Sequence, residues 1–241
     1  MPTTTINATK QGIITKGVTS SKLNWINDVR NASSGSSVSI ITSFVNETTA
    51  VYVLYVTSPV TYGEIRRTFL FFDVSSITGS NTITAATLKI LGFGPSSNGD
   101  VVPVAATAWG GNGSGSISVS DFSNLTFTGT YSAPITSWNT TNYNNFTLNA
   151  TAISAMNSNG YLNLALINDT YDQGSTTPPV NSSGYRNGIT FFGTNSTDLK
   201  IELTYSASSG YTHEVNGVGA SSIVSVNNIA TASIANIIGV S

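Results

Sequence analysis

The chain has 241 residues, enough for one large domain or two small ones, and only 8% of them are charged, against roughly 25% in an ordinary soluble domain. Ser, Thr, Asn and Gly carry the polarity instead and favour turns and strand edges over helix interiors; 39% hydrophobic and 10% aromatic residues exclude chain-wide disorder. The net charge is −2 with nine basic residues scattered along the chain, which argues against a nucleic-acid partner, and the absence of cysteine rules out disulfides and thiolate metal sites.

Residues 1–37 are expected to form an extended N-terminal arm or a first strand. The opening MPTTTINATKQG has neither the basic nor the apolar region of a secretory leader. No apolar run approaches the roughly 20 residues that cross a bilayer, so no membrane partner is expected. The SSGSS at 33–37 is a flexible break. From 38 the strand signals begin. VSIITSFV is β-branched and apolar, and ETTAVYVLYVTSPV is apolar on both faces, as in a strand covered on both sides.

The densest stretch is RRTFLFFDVSSITGSNTITAATLKILGFG, 66–94. Thr68, Leu70, Phe72 and Val74 share one face; Phe69, Phe71 and Asp73 share the other. After the turn TGSN, ITAATLKILGF reads as a second long strand. VVPVAATAW, a Gly/Ser-rich loop and shorter strands near SVSDF, NLTFTG and NNFTLN follow. TAISAMNSNG, 151–160, is the best helix candidate, closed by Asn159-Gly160. YLNLALIND, GITFFGT and LKIELTY complete the strands. Many short strands separated by turn signals indicate an all-β sandwich, spanning 38–207.

The run from Arg67 to Asp73, Val74-Ser-Ser-Ile77 and Ile83-Thr-Ala-Ala-Thr-Leu-Lys-Ile90 resembles the core phrase of DNRLRE-type jelly-roll domains. Trp109 or Trp138, then FTLNATAISAM and YLNLALIND, continue the likeness over residues 40–205. The resemblance implies a jelly-roll-like antiparallel β-sandwich and not an enzyme. Arg66 or Arg67 beside Asp73 is read as an ion pair pinning a strand end.

The residues offer little for catalysis. The one histidine, His213, has only Glu214 beside it, and no Ser/His/Asp arrangement stands out. GGNGSGS at 110–116 lacks the Lys and following helix of a phosphate loop. Asp169 and Asp172 in NDTYDQG are read as a turn rather than a Ca²⁺ site, and no metal or cofactor is expected. The eleven Asn-X-Ser/Thr sequons reflect composition. Surface aromatics offer a stacking platform for sugars, with Trp109, Trp138 and Tyr143 as candidates; the competing reading places the tryptophans in the core.

The segment 208–241 carries two and a half copies of an eleven-residue phrase, VNGVGASSIVS, VNNIATASIAN and IIGVS. Val215, Val226 and Ile237 align, as do Val218, Ile229 and Val240, and Ile223 with Ile234. Recurrent Gly and Asn with β-branched apolar positions disfavour a helical coil and mark a turn in each copy. So few copies cannot bury their own apolar stripe, so these eight residues are expected to pack against another polypeptide. The phrase resembles short tandem repeats at the termini of bacteriophage virion proteins. That resemblance implies a capsid-decoration, head-fibre or tail-associated subunit in a virion, built in the host cytoplasm. Its partners would be other virion proteins and copies of itself, a trimer among them. A carbohydrate-binding module or adhesin is the alternative.

Overall fold

The structure, a computed structural model, describes residues 1–20, 25–40, 61–94, 99–176, 187–191, 197–207, 225–226 and 229–230. The densest apolar stretch sets its architecture. Thr61–Asp73 is one strand whose Leu70 and Phe72 enter one core, while Ile65, Phe69 and Phe71 on the alternate face enter another. A strand apolar on both faces sits at the centre of a layered structure, with cover above and below.

In chain order the strands are β1 (Thr3–Asn7), β2 (Lys10–Ser20), β3 (Ser37–Ile40), β4 (Thr61–Asp73), β5 (Asn81–Leu91), β6 (Val101–Ala106), β7 (Leu125–Thr130), β8 (Tyr143–Thr147), β9 (Tyr161–Asn168) and β10 (Leu199–Ala207). The helices are α1 (Trp25–Arg30), α2 (Ser75–Thr78) and α3 (Ala150–Asn159). Two short strands, β11 (Ser225–Val226) and β12 (Ile229–Ala230), lie in the repeat segment.

The sandwich has a four-stranded sheet, β1-β10-β5-β8, and a six-stranded sheet, β3-β2-β4-β9-β6-β7. Every described pairing is antiparallel. With β2 and β3 set aside, the first strand pairs with the last, the third with the last and the sixth, and the second with the seventh. That alternation of consecutive strands between two sheets is the winding of a jelly roll. Leu88, Ile90, Phe146, Ile201 and Leu203 of one sheet meet Leu70, Phe72, Leu162, Leu164 and Leu166 of the other between the layers, and α3 closes one end with Ala152 and Met156.

A second core lies on the outer face of the six-stranded sheet. Phe69, Phe71, Val102, Val104, Ala165 and Ile167 are covered there by Ile26 and Val29 of α1 and by Trp109, Ile117, Phe122 and Tyr171. This extra layer explains why β9 is buried at every position from Leu162 to Asn168 instead of at alternate ones.

The helix expected at 151–160 runs over Ala150–Asn159. Asn149 caps it by accepting from Ala152 N–H, and Gly160 ends it at φ 75°. The N-terminal segment is no free arm: β1 joins one sheet and β2 the other, with α1 between β2 and β3. SVSDF is a 3₁₀ turn (Val119–Ser123), because Ser118 and Asp121 form a capping box that a strand would forgo. Of GITFFGT, the described part makes isolated bridges, Phe191 opposite Gly92, and no strand. ETTAVYVLYVTSPV lies outside the described residues.

Candidate functional site

Arg67 and Asp172 are the most deeply buried charges among the described residues. Arg67 stands between Ile65 and Phe69 on β4, where strand alternation turns it into the outer core. Its Nε and Nη2 donate to Asp172 Oδ2 and Oδ1 at 2.8 and 2.7 Å. Nη1 donates to Phe122 O at 2.6 Å, and Nη2 also donates to Arg30 O at 2.9 Å. Four of its five N–H groups are thus used, and the Phe122 ring lies 3.9 Å from the guanidinium carbon. Arg30, stacked 4.1 Å from the Phe127 ring, donates to the backbone oxygens of Asp172 and Gln173. The cluster ties α1, the 3₁₀ turn and a π-helical turn (Asp169–Gln173) to the sheet. Asp73 is not its partner: the Ser75 hydroxyl first and then the Ser75 N–H, 2.9 Å away, hold that carboxylate's pKa below the usual value, and Arg66 pairs with Glu64.

The same contacts decide the carboxylates of NDTYDQG. Both Asp172 oxygens accept from Arg67, so the charge of this buried carboxylate is balanced by the guanidinium. The turn reading holds, with a neighbour as the capping residue. Asn168 Oδ1 accepts from Tyr171 N–H at 2.7 Å. Asp169 sits beside Asp100, and burial first and then the Asp100 charge push its carboxyl pKa up. Among the described residues no three His, Cys, Asp or Glu side chains come together.

Of the three aromatics expected as a sugar platform, two belong to the core. Trp109 is 4% exposed and packs edge-on to Phe69 and Phe71; Trp138 is 8% exposed and donates Nε1–H to Thr190 O at 3.0 Å. The area of both, and the indole N–H of Trp138, are spent inside the domain. Trp109 also sits at φ 54° at the head of the glycine-rich loop. That loop is held by Asn163, whose Nδ2 donates to Ala108 O and Gly111 O, and by Lys10 reaching Gly113 O and Gly115 O.

Tyr143 alone of the three reaches the surface, half-buried on β8. It stands on the outer face of the four-stranded sheet. Cross-strand register arranges that face in rows: Asn7, Lys200, Lys89 and Asn145; then Thr5, Glu202, Thr87 and Thr147. Lys200 and Lys89 Nζ lie 4.4 and 5.5 Å from the Tyr143 ring centre, Lys89 pairs with Glu202 at 2.8 Å, and Tyr143 O–H donates to Thr197 O. Sequence reading found Tyr143 but not the rows. They depend on which strands become neighbours.

In the repeat segment, Ser225 pairs with Ala230 and Val226 with Ile229. Among the described residues these two strands form a sheet of their own, joined to neither sheet of the sandwich. Asn227 and Asn228, where the repeat is expected to turn, lie outside the described residues. Val215, Val218, Ile223, Ile234, Ile237 and Val240 lie outside the described residues, as does His213. No helix among the described residues is long and apolar enough to cross a membrane.

No protein-family model matches the sequence, and no curated protein compared with it is similar to it.

Proposed function

We propose that this chain is a non-enzymatic structural subunit of a bacteriophage particle, presenting a jelly-roll sandwich and assembling through its C-terminal repeat. One observation carries the reading: the described strands of the repeat pair with each other and belong to neither sheet of the sandwich. A two-stranded ribbon is marginal in water on its own and needs a surface to cover it. The repeat supplies β-branched residues every few positions and a single acidic residue, Glu214, over 208–241. Such a segment suits burial against copies of itself or other virion proteins. The likeness of the repeat to phage termini, and of the 67–90 phrase to DNRLRE-type domains, agrees with this reading.

The test is oligomeric mass by light scattering, with and without residues 208–241. The full chain is expected to run as a discrete oligomer and the shortened one as a monomer. Equal monomeric masses at all concentrations sink the proposal.

A glycan-binding role keeps one supporting observation, Tyr143 at the surface beside Lys89 and Lys200. Glycan-array binding that Tyr143→Ala removes would favour this second reading, and silence across the array would dismiss it.

A further inference from the structure

Strand alternation slips once along β5. Thr84 and Ala85 are both exposed, between buried Ile83 and buried Ala86. The pairing with β10 shows why. Thr204 lies opposite Ala85 and Tyr205 opposite Ile83, so Thr84 is an extra residue without a counterpart. This is a β-bulge, which bends its strand and sharpens the local twist. It is pinned by the Thr84 hydroxyl, which donates to Thr204 O at 3.2 Å.

A trough of about 330 Å³ opens beside the bulge, on the outer face of the four-stranded sheet. It crosses β1, β10 and β5 between two rows of side chains. Thr3, Thr204 and Ala85 form one row; Thr5, Glu202 and Thr87 form the other. Rows two residues apart stand about 7 Å from each other. Ala85, the smallest side chain of the six, leaves one end of the trough open. The volume sits at the low end of the roughly 300–1,000 Å³ of small-molecule sites.

The walls are polar and partly unused. Glu202 Oε1 accepts from Lys89 Nζ at 2.8 Å, which holds the carboxylate in place. Its other oxygen has no hydrogen bond among the described residues, and neither do the hydroxyls of Thr3, Thr5 and Thr87.

These groups select by charge and hydrogen bonding. An apolar molecule would dry them without offering partners. An anion would meet the Glu202 charge. A cation would find that carboxylate already paired, with a second ammonium, Lys200, directly opposite Lys89 in the next row. A metal ion would find one carboxylate where hard cations want several oxygen ligands. Sugar hydroxyls fit: they donate and accept as threonine hydroxyls do, and a carboxylate oxygen accepts from them.

We propose that this trough binds one uncharged sugar unit of a glycan, with Glu202 accepting from its hydroxyls, Thr5 and Thr87 bonding beside it, and Ala85 leaving room for the ring. This rests on the glycan reading of the face and moves its centre from Tyr143 to Glu202, two rows away.

The experiment titrates the full-length chain with uncharged hexasaccharides of glucose, galactose, mannose and N-acetylglucosamine, followed by calorimetry. A galacturonate hexasaccharide is the acidic control. At least one uncharged probe is expected to bind. Glu202→Gln is expected to raise its Kd about tenfold, as a charge-assisted hydrogen bond becomes a neutral one. Ala85→Phe, which fills the trough, is expected to abolish binding. Thr147→Val removes a hydroxyl from the same row outside the trough and is expected to leave Kd unchanged. Circular-dichroism melts matching the parent confirm that the variants fold; if Ala85→Phe does not, Glu202→Gln decides. Binding that Tyr143→Ala removes while Ala85→Phe and Glu202→Gln leave it intact overturns the trough and keeps the glycan reading. Binding of the galacturonate probe alone overturns the uncharged class. Silence with every probe overturns the trough, and silence on the glycan array as well overturns the glycan reading with it.

Discussion

Arg67 and Asp172 lie 105 residues apart in the chain and face each other through two hydrogen bonds, with side chains 1% and 0% exposed. A buried ion pair adds little over a well-packed apolar pair, because both charges lose their water. Breaking it is another matter, since one charge is then stranded. Arg67→Met is expected to lower unfolding free energy by about 3–5 kcal/mol in a denaturant titration. The double change Arg67→Met with Asp172→Leu should recover much of that loss. If the double variant is as unstable as the single one, the hydrogen bonds of Arg67 to Phe122 O and Arg30 O carry the stability instead.

Trp138 tests whether the tryptophans serve the core or a ligand. It is packed with Tyr131, Ile189 and Phe191 in the inter-sheet core. Trp138→Ala is expected to cost about 3–5 kcal/mol of stability. Trp138→Phe, which keeps the ring and loses the bond to Thr190 O, should cost about 1–2 kcal/mol. An alanine variant with an unchanged thermal midpoint would remove Trp138 from the core.

What the sequence revealed follows from locality. The α3 helix and its Gly160 terminus were legible because cap, helix and αL glycine lie within a dozen residues. The faces of β4 were legible because strand alternation has period two, so Leu70 and Phe72 separate from Phe69 and Phe71 by counting. Partnership was not legible. Asp73, six residues from Arg67, looked like its counter-ion, yet the strand carries the two to positions only a bent chain could join. Asp172 reaches Arg67 because β9 pairs directly with β4. The same holds for the N-terminal segment, where the residues leave arm and first strand both open: β1 and β2 are polar on their own and become strands by pairing with β10 and β4. The row that sets Thr5, Glu202, Thr87 and Thr147 side by side is likewise a product of strand order.

The glycine-rich loop offers a paired test of backbone freedom. Gly111 and Gly113 both have left-handed backbone, at φ 84° and 82°. A side chain on Gly111 meets nothing within 4 Å, whereas a Cβ on Gly113 would stand 2.6 Å from the Phe71 ring. Gly111→Ala is therefore expected to cost only the backbone strain, about 1–2 kcal/mol. Gly113→Ala should cost measurably more in the same denaturant titration, because Phe71 is locked between Trp109 and Tyr161. Equal costs would show that the loop lifts off the ring freely.

Asp169 supplies a dependence on pH. Its folded pKa is raised by burial and by the neighbouring Asp100 charge. A carboxyl group with a raised folded pKa binds its proton more tightly folded than unfolded, so its contribution favours the folded state in acid. That contribution is complete below the unfolded pKa of about 3.9 and is lost as pH rises through the folded value. At neutral pH the charged carboxylate is thus a net burden. Asp169→Asn should raise the thermal midpoint at pH 7, and the gain should vanish near pH 3, where the parent is protonated as well. In an Asp100→Asn background the pH 7 gain should shrink but survive, since desolvation is the larger cause. An Asp169→Asn variant less stable than the parent at pH 7 would show that the carboxylate is held by a favourable contact and that the sign is reversed.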